Sequence, residues 1–312
     1  MAAAATMFAA CTQSDFVNEV PEEAPQAIGF ESYIGKSTRT EYTDDESLHG
    51  AGFKVWGYTT EPQTIFDGDH VTWGNPTADK WNCSVTKYWS KTATYNFYAT
   101  APQAATMAWD NTNQKFTISD AKSGVSTAVD VIDYLTATKE DVTRANNTDN
   151  TVEFNFGHAM SKVAIKLLKS ASLADDQVLT VTNVTMTGWD ASTGSYDSKA
   201  TPKWTLATPA TAGSAVFVNS ETGAIAKGTA TVVATEYLIV PQTIAADVLK
   251  FTVSYTLGGV AFNGEFATLD TEQVWAPNQF TTYTLTIGPE VIEFGTQVVD
   301  GWTSVSGGTS VQ

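Results

Sequence analysis

His49, His70 and His158 are the only histidines in the chain, and each lies far from the others in sequence. A zinc site draws three or four imidazole, thiolate or carboxylate ligands from short, patterned spacings, and neither an HExxH nor a CxxC run is present. Acid pairs such as Asp44-Asp45 and Asp67 with Asp69 could offer oxygens to calcium. A Ca²⁺ site needs about six or more such oxygens, and acids clustered like this are more usually solvated turns. No GxSxG elbow, Walker loop or dinucleotide fingerprint occurs. His158, set between FNFG and AMSKVAIKLL, reads as a packing residue rather than a ligand. The expectation is therefore no catalytic residue, no metal and no cofactor.

Charge narrows the partners. Thirty-four acids against 17 bases leave a formal net charge of −17, and Arg39 and Arg144 are the only arginines. Such a surface repels phosphate backbones and anionic lipid headgroups, which excludes nucleic acid as a partner. Nine tryptophans invite a different idea, because exposed indoles stack on sugar rings. Trp56, Trp73, Trp81, Trp89 and Trp109 all fall in the first half of the chain. Large aromatic rings chiefly fill cores, so burial is the expected fate and glycan binding the second hypothesis.

Cysteine chemistry points to an address. Cys11 follows the apolar run Ala2–Ala10 and precedes TQSDFVNEVPEEAPQ, a polar and acidic stretch with two prolines. Small residues ahead of a cleavage point suit a signal peptidase, and Phe8-Ala9-Ala10-Cys11 resembles a lipobox, whose cysteine becomes the lipidated N-terminus. No Lys or Arg precedes the run, so the signal is expected to extend upstream of Met1. The competing reading is a chance cysteine in a disordered terminus. Residues 1–11 are taken as the signal region and 12–27 as a solvated tether. No apolar run approaches the roughly 18 residues that span a bilayer.

Position in the remaining chain is set by strands. Tyr95, Phe97 and Ala99 alternate with polar neighbours, as do Val152, Phe154 and Phe156. In VLKFTVSYTLGGVAFNGEF, Leu249, Phe251, Val253, Tyr255 and Leu257 share one face, and Gly258-Gly259 supplies the positive φ angles of a two-residue hairpin. Tyr283, Leu285 and Ile287 repeat the pattern, and prolines fall at the ends of such runs. Only AVDVIDYLTATKED and KSASLADDQ carry a helical pattern, and TEYTDDES reads as an exposed loop. Many short strands punctuated by turns predict an all-β chain of sandwiches. At 312 residues the length suits two domains, drawn at 28–158 and 159–312.

Several of these segments together resemble the fimbrillin family of Bacteroidales, the Mfa-like subunits or type V pilins. The resemblance runs through IGFESYIGKSTRT, FKVWGY, YWSKTATYNFYATAPQ, FNFGHAMSKVAIKLL, YLIVPQ, VWAPNQFTTYTLTI and VIEFGTQVVDGW. FGHAMSKV followed by YLIVPQ is its most specific part. The family implies two tandem transthyretin-like Greek-key β-sandwich domains. It also implies export as a lipoprotein, an outer-membrane lipid anchor, and assembly with other fimbrial subunits, as homo- or hetero-polymer, after proteolysis. Host or bacterial surface glycans or proteins would be its further partners.

By the same resemblance, the bond between Arg39 and Thr40 is the expected processing point, the alternative being an ordinary surface arginine. VIEFGTQVVDGW puts Ile292, Phe294, Val298 and Trp302 on one face with Thr296 between them. Its twelve residues would extend about 40 Å, longer than an ordinary strand, which suits a donor strand for a neighbouring subunit. The alternative is the closing strand of its own domain. The asymmetry around Cys11 makes the first test simple: a fatty-acid analogue fed to expressing cells is expected to label the wild type and Cys83→Ser, and to miss Cys11→Ala.

Overall fold

Period-two patterning is realised as strand in nearly every segment of the computed structural model, which describes residues 24–34, 45–61, 63–74, 80–147, 149–288, 292–294 and 298–301. Up to His158 the strands are β1 (Gly29–Ile34), β2 (Phe53–Thr59), β3 (Thr64–Trp73), β4 (Trp81–Cys83), β5 (Thr94–Ala101), β6 (Ala108–Asp110), β7 (Lys115–Ala121), β8 (Gly124–Val125), β9 (Leu135–Thr143) and β10 (Thr151–His158). Next come β11 (Ser161–Lys169), β12 (Leu179–Asp190), β13 (Gly194–Asp197), β14 (Trp204–Leu206), β15 (Ala212–Val218), β16 (Thr231–Val232), β17 (Tyr237–Ile239) and β18 (Gln242–Ile244). β19 (Lys250–Leu257), β20 (Val260–Thr268), β21 (Gln273–Trp275), β22 (Gln279–Ile287), β23 (Ile292–Phe294) and β24 (Val298–Gly301) complete the set. The chain is all-β, as its alternation predicts.

Three cores result. One sheet runs β1-β10-β9-β5-β2-β3-β4 and curls until its edge strands β1 and β4 approach each other. Phe30, Phe53, Phe66, Phe97, Phe154 and Phe156 fill its concave side. A second sheet, β23-β22-β11-β17-β8, packs on the four-stranded sheet β15-β12-β19-β20. Between them lie Ile165, Leu167, Val181, Met186, Phe251, Tyr255, Tyr283 and Leu285. The expected hairpin is present: Leu257 pairs with Val260, and Gly258 and Gly259 take φ of 56° and 85°, angles that an L side chain rarely adopts.

The third core joins the two halves. β7 pairs with β13 in the sheet β14-β13-β7-β6, and β8 pairs with β17, so residues 117–125 form ladders with strands beyond residue 159. Beneath lie Tyr98, Trp109, Phe116, Tyr196, Trp204 and Val240. The crossing segment between β10 and β11 is held by Trp204, whose Nε1 donates to the Ala159 carbonyl at 2.8 Å. Asn278 adds two bonds, its N–H to the Met160 carbonyl and its Oδ1 from the His158 N–H. Lys115 and Asp197 pair across the shared sheet at 2.6 Å.

Three local expectations fail. TEYTDDES was expected as a loop, but α1 (Asp45–Ala51) begins within it. Fully buried Leu48 anchors that helix, and Gly52, with φ 63°, ends it by donating to the Leu48 carbonyl. AVDVIDYLTATKED, helical in pattern, enters β9 at Leu135 because Leu135 and Ala137 face the core between β5 and β10. KSASLADDQ is likewise not helix: the buried Lys169 ammonium donates to the carbonyls of Ala174 and Gln177 and folds the segment back on itself.

A shared sheet and core should make the halves unfold together. Trp204→Ala is expected to cost about 3–5 kcal/mol and to shift one calorimetric transition as a whole. Two transitions, with only one of them moved, would show that the halves are independent.

Candidate functional site

β1 is where the first half can be opened. It pairs on one side only, parallel to β10, with Gly29 opposite Thr151 and Ile34 opposite Phe156. Being an edge, it can leave without cutting the sheet. Its inner face is costly to lose, because Phe30 is only 4% exposed and meets Phe53, Phe66, Phe97 and Phe154 with centroids 5.3–6.4 Å apart. Burying one such ring contributes about 1.5–3 kcal/mol, and edge-to-face contacts add to it. Ahead of the strand, Ile28 and Trp89 donate their N–H groups to the carbonyls of Lys87 and Gln26. One inward position is ill matched: the Ser32 hydroxyl is buried and has no hydrogen-bond partner among the described residues.

Arg39 and Thr40, the expected processing point, lie outside the described residues, in the segment joining β1 to α1. Arg144, the other target of an arginine-specific protease, begins the 3₁₀ turn Arg144–Asn146, and its Nε donates to Gln26 Oε1 at 2.8 Å. A protease needs an extended, accessible segment, and this one is folded into a capped turn. Cys11 and Trp302 also lie outside the described residues.

The C-terminal candidates rest on their own half. β23 and β24 lie antiparallel along β22, with Ile292 opposite Ile287 and Gly301 opposite Gln279. Their grip is uneven. Ile292 is buried and Phe294 is half-buried with its ring 5.6 Å from Phe251, whereas Val298 is 41% exposed. Both segments of interest, β1 and β23–β24, are thus edge strands whose ladders can be undone without breaking a sheet interior.

The family model described as fimbrillin-like matches residues 38–302. The chain belongs to the fimbrillin-like family. No curated protein matches it. Among solved structures it is similar to a fimbrial protein from Bacteroides vulgatus, with TM-score 0.64 and 20% identity over 89% of this chain and all of that one. It is also similar to a protein assigned to cell adhesion from Bacteroides uniformis, with TM-score 0.57 and 20% identity over 89% of this chain and 98% of that one. A counterpart from Bacteroides ovatus gives TM-score 0.54 and 13% identity over 91% and 100%. At these identities the likeness is one of fold.

Most of the other candidate residues among those described are occupied in packing, with His70 left exposed on β3. Of the eight described tryptophans seven are buried, and Trp73 is half-buried under His49, stacked at 3.5 Å. None offers the open indole face that sugar stacking needs. His158 is buried, with Nδ1 2.9 Å from both carboxylate oxygens of Asp133. The Cys83 thiol is pushed up by burial, which keeps it protonated and a poor nucleophile. Burial also raises Tyr58 to about 12, with Asp67 and Asp110 adding to the effect. A cleft of about 650 Å³ is lined by Trp204, Leu206, Val274, Trp275 and three prolines, but both of its indole N–H groups are already donated, to Ala159 and Tyr283. The phenylalanine seat around Phe30 is what the sequence did not show. Its members come from five strands, and only the alternation within each strand hinted at them.

Opposite effects are expected from two neighbouring substitutions in β1. Phe30→Ala should lower urea stability by about 3–5 kcal/mol. Ser32→Ala should raise it by about 1 kcal/mol, by removing a buried unpaired hydroxyl. A destabilising Ser32→Ala would show that the hydroxyl has a partner.

Proposed function

We propose that the chain is a structural subunit of a cell-surface fimbria, exported as a lipoprotein on Cys11, trimmed between Arg39 and Thr40, and polymerised by strand exchange. Membership of the fimbrillin-like family and the similarity to a fimbrial protein support the subunit role. The observation that carries the exchange is the position of β1: an edge strand with a core phenylalanine, followed within a few residues by Arg39.

Cutting there frees β1 from the rest of the chain. Its loss uncovers the backbone of β10 and the side chains of Val152, Phe154 and Phe156, which are buried in the intact fold. Unpaired strand edges over an open apolar core do not persist in water and take up another strand. The C-terminal segment, with Ile292, Phe294, Val298 and Trp302, is the donor in this reading. Other fimbrial subunits are then the partners, and the outer membrane holds the lipid.

Electron microscopy of purified protein before and after treatment with an arginine-specific protease tests the proposal. Trimmed wild type is expected to begin at Thr40 and to form filaments, and Arg39→Ala to remain monomeric. Filaments built from chains that still contain residues 28–39 would overturn it.

A further inference from the structure

β20 departs from a regular ladder at one place. It is the end strand of the sheet β15-β12-β19-β20, and its pairing with β19 runs from Leu257 with Val260 to Tyr255 with Phe262, then resumes at Val253 with Glu265. Two residues, Asn263 and Gly264, therefore stand against one, Ser254, which makes a β-bulge. Asn263 and Gly264 are also the only asparagine–glycine pair in the chain. Both are exposed, Gly264 takes φ 71°, and a Cβ placed on it would meet nothing within 4 Å. Its N–H donates to the Ser254 hydroxyl at 3.1 Å, a side-chain bond that holds the amide nitrogen toward β19.

We propose that Asn263 is a site of self-modification, at which the chain converts its own side-chain amide to isoaspartate and aspartate, with the Ser254 hydroxyl restraining the rate. The Gly264 amide nitrogen gives up its proton and attacks Cγ of Asn263. The new N–C bond closes a succinimide ring, the bond from Cγ to the side-chain nitrogen breaks, and that nitrogen takes up the proton and leaves as ammonia. Water then opens the ring. Cleavage of the bond to Cγ leaves aspartate, whereas cleavage of the bond to the main-chain carbonyl carbon leaves isoaspartate, whose main chain runs through the former side chain. No oxidant, metal or partner is consumed. A glycine at 264 permits the attack, since a Cβ there would crowd the nitrogen and resist the positive φ. The bulge supplies the rest, because its residues stand outside the regular ladder and can turn toward ring closure once Ser254 releases the N–H. The product fits the fold. Isoaspartate lengthens the main chain by a methylene where β20 already carries a residue more than β19, and among the described residues no strand pairs with the other side of β20. What changes is the edge, which gains a carboxylate beside Glu265 and between the exposed Val260 and Phe266. Charge on an open edge discourages a further strand from pairing there, so conversion guards this side of the subunit.

Peptide mapping by mass spectrometry of the purified full-length chain, held at mildly alkaline pH and sampled over time, tests this inference. The peptide containing Asn263 is expected to gain the mass difference between an acid and an amide and to become a substrate for a protein isoaspartyl methyltransferase, while peptides holding the other asparagines stay unchanged. Ser254→Ala should speed the conversion several-fold and Asn263→Gln should abolish it, each variant keeping a cooperative melting transition. The urea-unfolded chain is the reference. Conversion is expected to be slower in the folded wild type than in that reference, and to approach it in Ser254→Ala. An Asn263 that keeps its amide in the folded chain while the unfolded chain converts fully overturns the site. Equal rates for folded wild type and Ser254→Ala overturn the restraint by Ser254, and conversion spread evenly over the other asparagines overturns the selection of Asn263 by the bulge.

Discussion

Phe30 has to be covered, and that constraint organises the first half of the molecule. The sheet β1-β10-β9-β5-β2-β3-β4 has a strongly curved apolar face, and its curling brings β4 back beside β1. Such a sheet closes its core only while both edges are in place. Phe30 touches rings on four other strands, so β1 is hydrogen-bonded along one side only and yet is well packed. A strand held by packing and a single ladder can leave without cutting the sheet, which an interior strand could not do.

The second half answers to a different requirement. Its core lies between two sheets that face each other. β23 and β24 extend one of those sheets past β22 and contribute Ile292 with part of Phe294. Most of the burial in this sandwich is complete without Val298, Val299 and Asp300, which are exposed. The segment is therefore a light covering on its own half.

Between the halves the chain is stiff for a definite reason. β10 leads into β11 through a two-residue step, and donors and acceptors of that step are taken by Tyr134, Trp204 and Asn278 from three different segments. The hairpin β6–β7 reaches over to β13 and forms a sheet of its own with it. Buried polar groups of this kind cost free energy when left unpaired, so the step is held in one geometry. The two halves are thus joined by ladders and packed rings rather than by a loose linker.

Much of this was legible in the residues alone. Alternation in TATYNFYAT, TVEFNFG and VLKFTVSYTL placed the strands and their inner faces, because a half-buried strand has no other pattern available. Two glycines placed the β19–β20 turn, since few other residues accept those angles. The ordered set of short motifs pointed to the fimbrillin-like family, which the match over residues 38–302 shows. Periodicity misled where burial came from afar: Leu135 and Ala137 became strand because β5 and β10 flank them, and Leu48 drew an acidic stretch into a helix by filling the first core. Strand order, the pocket around Phe30, the pairing of residues 117–125 across residue 159 and the edge positions of β1 and β23 were decided only in the tertiary structure. The physical reason is that each strand encodes which of its faces is buried, whereas the partner against which it is buried depends on every other strand competing for the same place.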